Sequence, residues 1–332
     1  MSVDIKTTGI APVRQTFSHV ARRLGGDKPA SRYQEATFDL QADCNFHYRP
    51  LWDPERELYD RRRTAIVMAD WYAFKDPRQF YYGAYVLNRA RLQETAENHF
   101  EFATKHALLA GLPADMLRRI QAVLLPLRHL EYAANLNNCA ISAYGWGSAF
   151  TQCTTYAMMD RLGIAQYLSR IGLLIDGNTG VSLKAAKQSW LDDAPWQPLR
   201  RLAEDSLVTA DWFELFVAQD LVIDGLVYPL VYQRFCADLS KAGGAVLAML
   251  TEFMDTWYGE SQRWVDAFVK TAAAESPANR ERLAGWAAHW QQRATEALVP
   301  LVGLMELPDG AAALDQADQA LRTRIAKLGL SV

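Results

Sequence analysis

The stretch "YAMMDRLGIAQYL", Tyr156 to Leu168, lies in the middle of a long helical pattern that runs from about Ser148 to Leu174. A helix that binds metal in a four-helix bundle carries Glu-x-x-His, so that both ligands point inward from one face. Here the run reads Asp160-Arg161-Leu162-Gly163-Ile164. Residues at helical spacing predict an inner stripe of Phe150, Thr154, Ala157, Arg161, Ile164, Leu168 and Ile171. The stretch therefore predicts a core helix with the outline of a metal helix but not its ligands.

Helical periodicity continues on both sides of this stretch, and no strand pattern of any length interrupts it. The first pattern lies within Pro77–Leu109, and the second, from about Ala114 to Tyr144, has a predicted kink at Pro126. The remaining predicted helices are shorter ones within Val181–Leu207, two long ones over about Ala210–Ser240 and Ala242–Ala274, and two near Asn279–Glu296 and Ala311–Leu328. Helices of roughly thirty residues span about 45 Å. This order predicts an all-α fold, a ferritin-like bundle of long helices.

The first sixty residues differ from the rest because Gly and Pro interrupt them and one short helix, Ser18 to Leu24, is the most that periodicity predicts. Five large aromatic residues indicate an arm that packs against its own domain or a partner chain: Phe17, Phe38, Phe46, Tyr48 and Trp52. We expect residues 1–60 to form an extended arm, residues 61–275 a helical domain without metal, and residues 276–332 further helices packed on that domain.

The composition indicates a soluble protein with a large core. The chain has 332 residues, of which 50% are hydrophobic and 22% charged, and its net charge of −3 argues against nucleic acid as the main partner. The four cysteines form no Cys-x-x-Cys pair, which is typical of reduced thiols in the cytoplasm. The apolar run from Leu215 to Tyr232 contains Gln219, Asp220 and Asp224, so a buried helix is favoured over a membrane span.

A search for catalytic motifs leaves no self-contained constellation. Glu-x-x-His does not occur, and no histidine lies between His129 and His289, where two of the long helices fall. Neither a nucleophile elbow nor a Walker loop nor a dinucleotide fingerprint is present. Two alternatives stay open at this point: a metalloenzyme with the unusual ligand set Glu94, Glu97, His99 and Glu131, or a free-standing helical binding protein.

Three runs of the sequence resemble the hydroxylase subunits of bacterial multicomponent monooxygenases, which act on methane, toluene, alkenes and phenol. They are "WYAFKDPRQFYYGAYVLNRARLQE" from Trp71, "PLRHLEYAANLNNCAISAYGWGSAFTQCTTYAMMDRLGIAQYLSRI" from Pro126, and "AQDLVIDGLVYPLVYQRF" from Ala218. In this family a large α chain carries a di-iron site, and a paralogous β chain keeps the fold without iron. The likeness covers most of the chain and is closest to the β subunit of phenol hydroxylase.

The family pattern of iron ligands can be carried over by position. Its first Glu falls on Glu131, its second Glu on Arg161 and its His on Ile164. For the second half-site, a plain count gives Gln219, Phe253 and Thr256, whereas an alignment on Pro229 shifts each by about four residues. Neither register yields Glu-x-x-His, so the resemblance implies no catalytic, cofactor-binding or metal-binding residue in this chain.

The resemblance also implies a function and a set of partners. A β subunit of this family belongs to an (αβγ)₂ hydroxylase that works with a small regulatory protein and a reductase carrying FAD and a 2Fe–2S cluster. The α chain inserts one oxygen atom of O₂ into an aromatic ring, with electrons from NADH. This chain would then have a structural role, and its arm, Phe17 to Trp52, is a candidate for contact with the α chain.

One physical hypothesis concerns Glu131. A lone carboxylate in a bundle core is costly or becomes protonated. Arg161, on the facing stripe, could supply the positive charge that iron supplies in the α chain. We therefore consider a buried Glu131–Arg161 ion pair, with the alternative that each side chain reaches a different partner.

Overall fold

The computed structural model describes residues 16–25, 28–43 and 49–331, and within these ranges it contains helices and no strand. This confirms the all-α prediction. The α-helices are α1 (Ser18–Leu24), α2 (Arg32–Thr37), α3 (Tyr82–Lys105), α4 (Ala114–Arg119), α5 (Leu127–Tyr144), α6 (Ser148–Ile175), α7 (Val181–Asp192), α8 (Gln197–Leu207), α9 (Trp212–Phe216), α10 (Asp224–Val227), α11 (Cys236–Leu239), α12 (Ala245–Glu275), α13 (Pro277–Met305) and α14 (Gly310–Lys327).

Helices α5 and α6 form a hairpin at the centre of the fold. The turn between them contains Gly147, whose φ of 89° favours glycine, and Pro126 directly precedes α5 at the predicted kink. Asn135 Nδ2 donates to the Met158 carbonyl at 2.7 Å. Ser142 Oγ lies 2.8 Å from Thr154 Oγ1. These pairs run in opposite directions along the two helices, so α5 and α6 are antiparallel.

One long helix of residues 212–244 packs across this hairpin, and it alternates α-helical turns with π-helical segments: α9, Val217–Ile223, α10, Tyr228–Phe235, α11 and Ser240–Gly244. We call it the central helix. Together with α12 it is long and apolar enough to cross a membrane by composition alone, but 94% of its most apolar window is buried inside the fold. The predicted break before α12 occurs at Gly243, where φ is 108°.

The described residues of the N-terminal arm include side chains that pack on the core of their own chain, among them Val20 and Phe38. Helix α1 is present as predicted, whereas α2 was missed although Ser31 and Gln34 form a capping box at its start. Phe38 is buried in the main core against Tyr72, and the Tyr72 hydroxyl oxygen accepts the Gln41 N–H at 3.0 Å. Phe46 and Tyr48, two of the five predicted anchors, lie outside the described residues.

Two predicted boundaries differ from the structure. Helix α3 begins only at Tyr82, because residues 74–81 form an irregular segment in which Phe74 is buried in the core and Arg78 joins an ion cluster. Helix α13 continues to Met305, past the predicted end near Glu296. It runs through Pro300 because Leu298, Leu301 and Met305 bury one face of its last turns in the core.

Candidate functional site: an ion cluster in the bundle core

Arg161 on α6 lies at the centre of a buried set of polar groups. Its Nη1 donates to Glu131 Oε2 on α5 at 2.7 Å and to the Tyr228 hydroxyl on the central helix at 2.8 Å. Its Nη2 donates to Asp224 Oδ2. Arg161 and Glu131 are each 1% exposed. The hypothesised Glu131–Arg161 ion pair is therefore present, and Asp224 is a second carboxylate partner that the sequence had not assigned.

Aromatic groups complete the surroundings of the guanidinium. Its Cζ lies 4.4 Å from the centroid of the Trp257 ring on α12 and 5.3 Å from that of Tyr228. The hydroxyls of Tyr228 and Tyr232 both donate to Glu131 Oε1, at 3.0 and 3.1 Å. The cation thus has carboxylates as hydrogen-bond acceptors and aromatic rings within cation–π distance. We call Glu131, Arg161, Asp224, Tyr228, Tyr232 and Trp257 the central ion cluster.

Helical spacing brings these residues together. Asp220, Asp224, Tyr228 and Tyr232 follow one another every four residues, so they stay on one side of the central helix. The π-helical segments at 217–223 and 228–235 widen the helix on both sides of Asp224. Such segments are frequent at functional sites.

Burial and neighbouring charges shift the ionisation of the cluster in opposite directions. Burial lowers the pKa of Arg161, but Asp224, Tyr228 and Glu131 outweigh this effect, so the pKa is raised well above its usual value. Burial raises the pKa of Glu131 and of Asp224, and Arg161 opposes the rise in both. Arg161 is therefore a permanent cation.

Asp220 lies one helical turn before Asp224 and is also buried. Its Oδ1 accepts from Asn138 Nδ2 at 3.2 Å, while its Oδ2 has no hydrogen-bond partner within the described part of the chain. Burial, followed by the charge of Asp224, raises the pKa of Asp220 to about 7. Near neutral pH this carboxyl group is therefore partly protonated.

The three positions that a plain count assigned to the second half-site differ in burial and in their distance from the central ion cluster. Gln219 is buried and donates to Asp224 Oδ1 at 2.9 Å. Phe253 is half-buried against Tyr167, and Thr256 is exposed, so neither side chain belongs to the central ion cluster, and their match to ligand positions stays a prediction. The residues of the central helix and α12 that contact the Arg161 guanidinium are instead Asp224, Tyr228 and Trp257. Ile164, in the first half-site, is fully buried as expected from its stripe.

The alternative ligand set does not assemble. Glu94 is exposed, and Glu97 forms an ion pair with Arg170 at 2.6 Å. His99 Nδ1 lies 3.1 Å from the Met249 carbonyl, while Glu131 belongs to the central ion cluster. Among the residues that the structure describes, no group of three or more His, Cys, Asp or Glu side chains is placed to hold a metal ion.

A second ion cluster adjoins the first through Trp257, whose Nε1 donates to Asp160 Oδ2 at 2.8 Å. Asp160 also accepts from Arg89 on α3, at 2.8 and 2.7 Å, and from the Tyr85 hydroxyl at 2.9 Å. Glu260 on α12 accepts from both Arg89 and Arg78. This cluster therefore ties α3, α6 and α12 together.

A surface cavity of about 550 Å³ borders the central ion cluster at Tyr232. Its wall is formed by residues of the central helix, the start of α12 and α3, including His99, Gln233, Cys236, Met249 and Asp255. Because the hydroxyl of Tyr232 reaches Glu131, this side chain separates the cavity from the buried carboxylates.

These features define a class: a ferritin-like helix bundle whose core contains ionised side chains where related bundles can hold metal. The sequence pattern of the Methane/Phenol/Alkene Hydroxylase family matches residues 52–276. The chain belongs to this family.

Curated relatives with similar length support the assignment. The chain is 56% identical to phenol 2-monooxygenase, oxygenase component DmpL, of Pseudomonas sp. (strain CF600), over 99% of this chain and 98% of the relative. It is 51% identical to the oxygenase component MhpL of Acinetobacter pittii (strain PHEA-2), with the same coverage. A more distant relative, 21% identical over 92% of this chain and 87% of the relative, is the propane 2-monooxygenase hydroxylase component small subunit of Rhodococcus jostii (strain RHA1).

Solved structures agree with the fold. A chain of xenon-pressurised phenol hydroxylase from Pseudomonas sp. OX1 superposes with a TM-score of 0.92 at 50% identity, over 99% of both chains. A chain from toluene 4-monooxygenase with toluene bound superposes with a TM-score of 0.75 at 20% identity, over 90% of this chain and all of that one, which is a likeness of fold alone.

The donor set of the cluster does not fit the di-iron centre that the family resemblance implies. Iron of this type needs Glu and His ligands from facing helices, including the Glu-x-x-His pair. At that spacing α6 presents a cation, Arg161, and a hydrocarbon, Ile164. None of the described histidines contacts the cluster through a hydrogen bond or ion pair.

Proposed function

We propose that this chain is the non-catalytic, structural β subunit of a phenol hydroxylase-like monooxygenase complex. In the complex, a partner α subunit holds the di-iron centre and inserts one oxygen atom of O₂ into an aromatic ring. NADH supplies the electrons through a reductase that carries FAD and a 2Fe–2S cluster. The proposed assembly is an (αβγ)₂ hydroxylase in the cytoplasm, on which a small regulatory protein acts.

One observation carries this proposal: the guanidinium of Arg161 is held between Glu131 and Asp224 in the core, where a catalytic subunit would need ligands. The chain retains a carboxylate on α5 but pairs it with its own cation. Removing such a cation would leave buried charges without compensation, so its retention supports a role in stabilising the bundle. In this proposal the chain has the fold of a hydroxylase subunit, and the ion pairs in its core stabilise that fold.

The outer face of the α5–α6 hairpin supports a role in assembly. Between Leu130 and Ser169, a stretch that the structure describes in full, the three charged residues Glu131, Asp160 and Arg161 are all buried. Four of the large exposed side chains on the two helices are aliphatic or aromatic, namely Tyr132 at 52%, Leu136 at 38%, Met159 at 48% and Leu162 at 42%, and the exposed Gln166 on α6 is polar but uncharged. We call these four residues the hairpin face.

An apolar face without charges is typical of the core of a permanent interface. The two helices together offer a surface about 27 Å long, from the 1.5 Å rise per residue of α5. We propose that the hairpin face packs against the α subunit. The small side chains on the same face, Cys139, Ala140 and Ala143, would let a partner helix approach closely.

The test is to produce the full chain alone and together with its α and γ partners, and to measure iron and oligomeric state in each preparation. We expect iron only in the complex, and a metal-free, self-associating chain in its absence. Stoichiometric iron in the isolated chain, or a soluble monomer that does not bind an α chain, would contradict the proposal.

A further inference from the structure

The surroundings of Arg161 have the shape of a binding site for a planar cation. Nη1 and Nη2 direct their hydrogens at Glu131, Tyr228 and Asp224, in the directions of a guanidinium fork. The Trp257 ring lies 4.4 Å from Cζ. In-plane acceptors combined with an aromatic neighbour suit a delocalised, weakly hydrated cation. A metal ion or an ammonium ion would also be attracted by the indole ring, but neither presents the planar fork of N–H donors that these acceptors match.

The charge of the site also favours a cation. Within hydrogen-bond reach of the guanidinium lie two carboxylates, Glu131 and Asp224, and the further carboxyl group of Asp220 is one helical turn away. Gln219 and Asn138 hold Asp224 and Asp220 in place through their amide groups. The acceptors lie on α5 and the central helix, whereas Arg161 is carried by α6, so shortening the Arg161 side chain removes none of them.

We infer that Glu131, Asp224, Tyr228 and Trp257 form a guanidinium-binding site whose resident ligand is the Arg161 side chain, and that a variant with this side chain shortened binds free guanidinium ion from solution. The cavity next to Tyr232 is separated from Glu131 by the Tyr232 side chain alone, so free guanidinium that enters from this cavity has to displace that side chain. The inference does not rest on the proposed function, because it concerns only the recognition of a cation within this chain.

The experiment measures the thermal unfolding midpoint of the full chain with Arg161→Ala, titrated with guanidinium chloride at millimolar concentrations, far below those that denature proteins. We expect a lowered midpoint that guanidinium restores in a saturable manner, while sodium and methylammonium chloride at equal concentrations do not. The same titration should leave the wild-type midpoint unchanged, because Arg161 already occupies the site.

Two control variants separate this site from general effects. In the double variant Arg161→Ala with Asp224→Asn, the rescue should be weakened because a charged acceptor is missing. Arg118→Ala removes an exposed pair with Glu306 and should show no midpoint loss and no response. Equal rescue of all variants would overturn the inference.

If Arg161→Ala does not fold, Arg161→Lys provides the measurement. Lysine keeps the positive charge but loses the fork and the planar contact with Trp257, so its midpoint should fall clearly below that of the wild type. A midpoint equal to the wild type would overturn the inference, as would restoration of Arg161→Ala by Fe²⁺ or Zn²⁺ in place of guanidinium. Metal analysis of the wild-type chain, which tests the proposed function, is independent of every one of these outcomes.

Discussion

Arg161 is a fully charged side chain in a position from which water is excluded, and the surrounding groups determine whether the core tolerates it. Taking a guanidinium out of water costs several kcal/mol, which only well-placed acceptors offset. Glu131, Asp224 and Tyr228 supply these acceptors from two other helices. The stability contribution of each charged residue therefore depends on the others, and removing one should leave its partners buried without a counter-charge.

A comparison of single and double variants tests this dependence. Arg161→Met leaves Glu131 and Asp224 without a cation and should lower the free energy of unfolding by about 3–5 kcal/mol. Adding Glu131→Gln removes one of the two stranded carboxylates, so the double variant should lose less than the sum of the two single losses. Urea unfolding monitored by circular dichroism gives the values, and additive losses would argue against coupling.

Asp220 should make stability depend on pH. Its pKa is about 7 in the folded chain, against about 4 when unfolded, so between these values the folded state holds a proton that the unfolded state has released. The free energy of unfolding therefore falls as pH rises through this window, by up to about 1.4 kcal/mol per pH unit.

The variant Asp220→Asn isolates this contribution, because it removes the titrating group and keeps an acceptor for Asn138. We expect the wild type to lose stability more steeply than the variant between about pH 4 and pH 7. Parallel stability curves for the two proteins would show that Asp220 is not the group responsible.

At this scale the sequence predicted the Glu131–Arg161 pair because two adjacent helices with clear periodicity carry it. Asp224 was noticed only as a polar residue in an apolar run. Its role depends on the π-helical segments around it, which shift the register of the central helix and leave no periodic signal in the sequence. Thr256, which a plain count placed at the His position of the family pattern, is exposed.

Among the elements, the break between the central helix and α12 depends on one glycine. Gly243 has a φ of 108°, a conformation that residues with a side chain rarely adopt. The sequence placed this boundary well because "KAGG" interrupts two long apolar patterns. Helix α2 was missed because its six residues are too few to show a period.

Two glycine variants with opposite expected effects test the break. Gly243→Ala should destabilise the fold by about 1–2 kcal/mol, because an L-residue is strained at this φ. Gly259→Ala, in the interior of α12 with open space around the new methyl group, should stabilise it by about 0.5–1 kcal/mol. Denaturant unfolding of both variants decides the point, and effects of the same sign would contradict the assignment.

For the whole molecule, the long helices were predictable because each buries a continuous apolar stripe, and together they leave few arrangements open. The path of the N-terminal arm was harder to predict from the sequence. Its residues 28–43 pack on the bundle of their own chain, with Tyr33 accepting the Asp76 N–H at 2.9 Å. An irregular segment has no period from which its contacts can be inferred.

The hairpin face gives a prediction at this scale. Leu136→Arg places a charge at the centre of the proposed contact with the α subunit and should reduce co-purification with it by more than tenfold, with the fold of the chain unchanged. Val299→Arg is the matched control, because Val299 is also exposed, at 58%, but lies on α13 rather than on the hairpin, with the exposed Glu296 one turn before it. Affinity capture of tagged variants measures the loss, and equal capture would exclude this face.

The Arg161–Ile164 spacing on α6 has a consequence for how this lineage can evolve. Arg161→Glu alone would set a third carboxylate beside Glu131 and Asp224 with no cation among them, and Ile164→His alone would place an imidazole one turn from a guanidinium. We expect either single step to cost several kcal/mol, measurable as a lowered unfolding midpoint. A change from this ion cluster to a metal site by one substitution at a time must then pass through poorly folding intermediates, so the cluster itself constrains which sequences can follow.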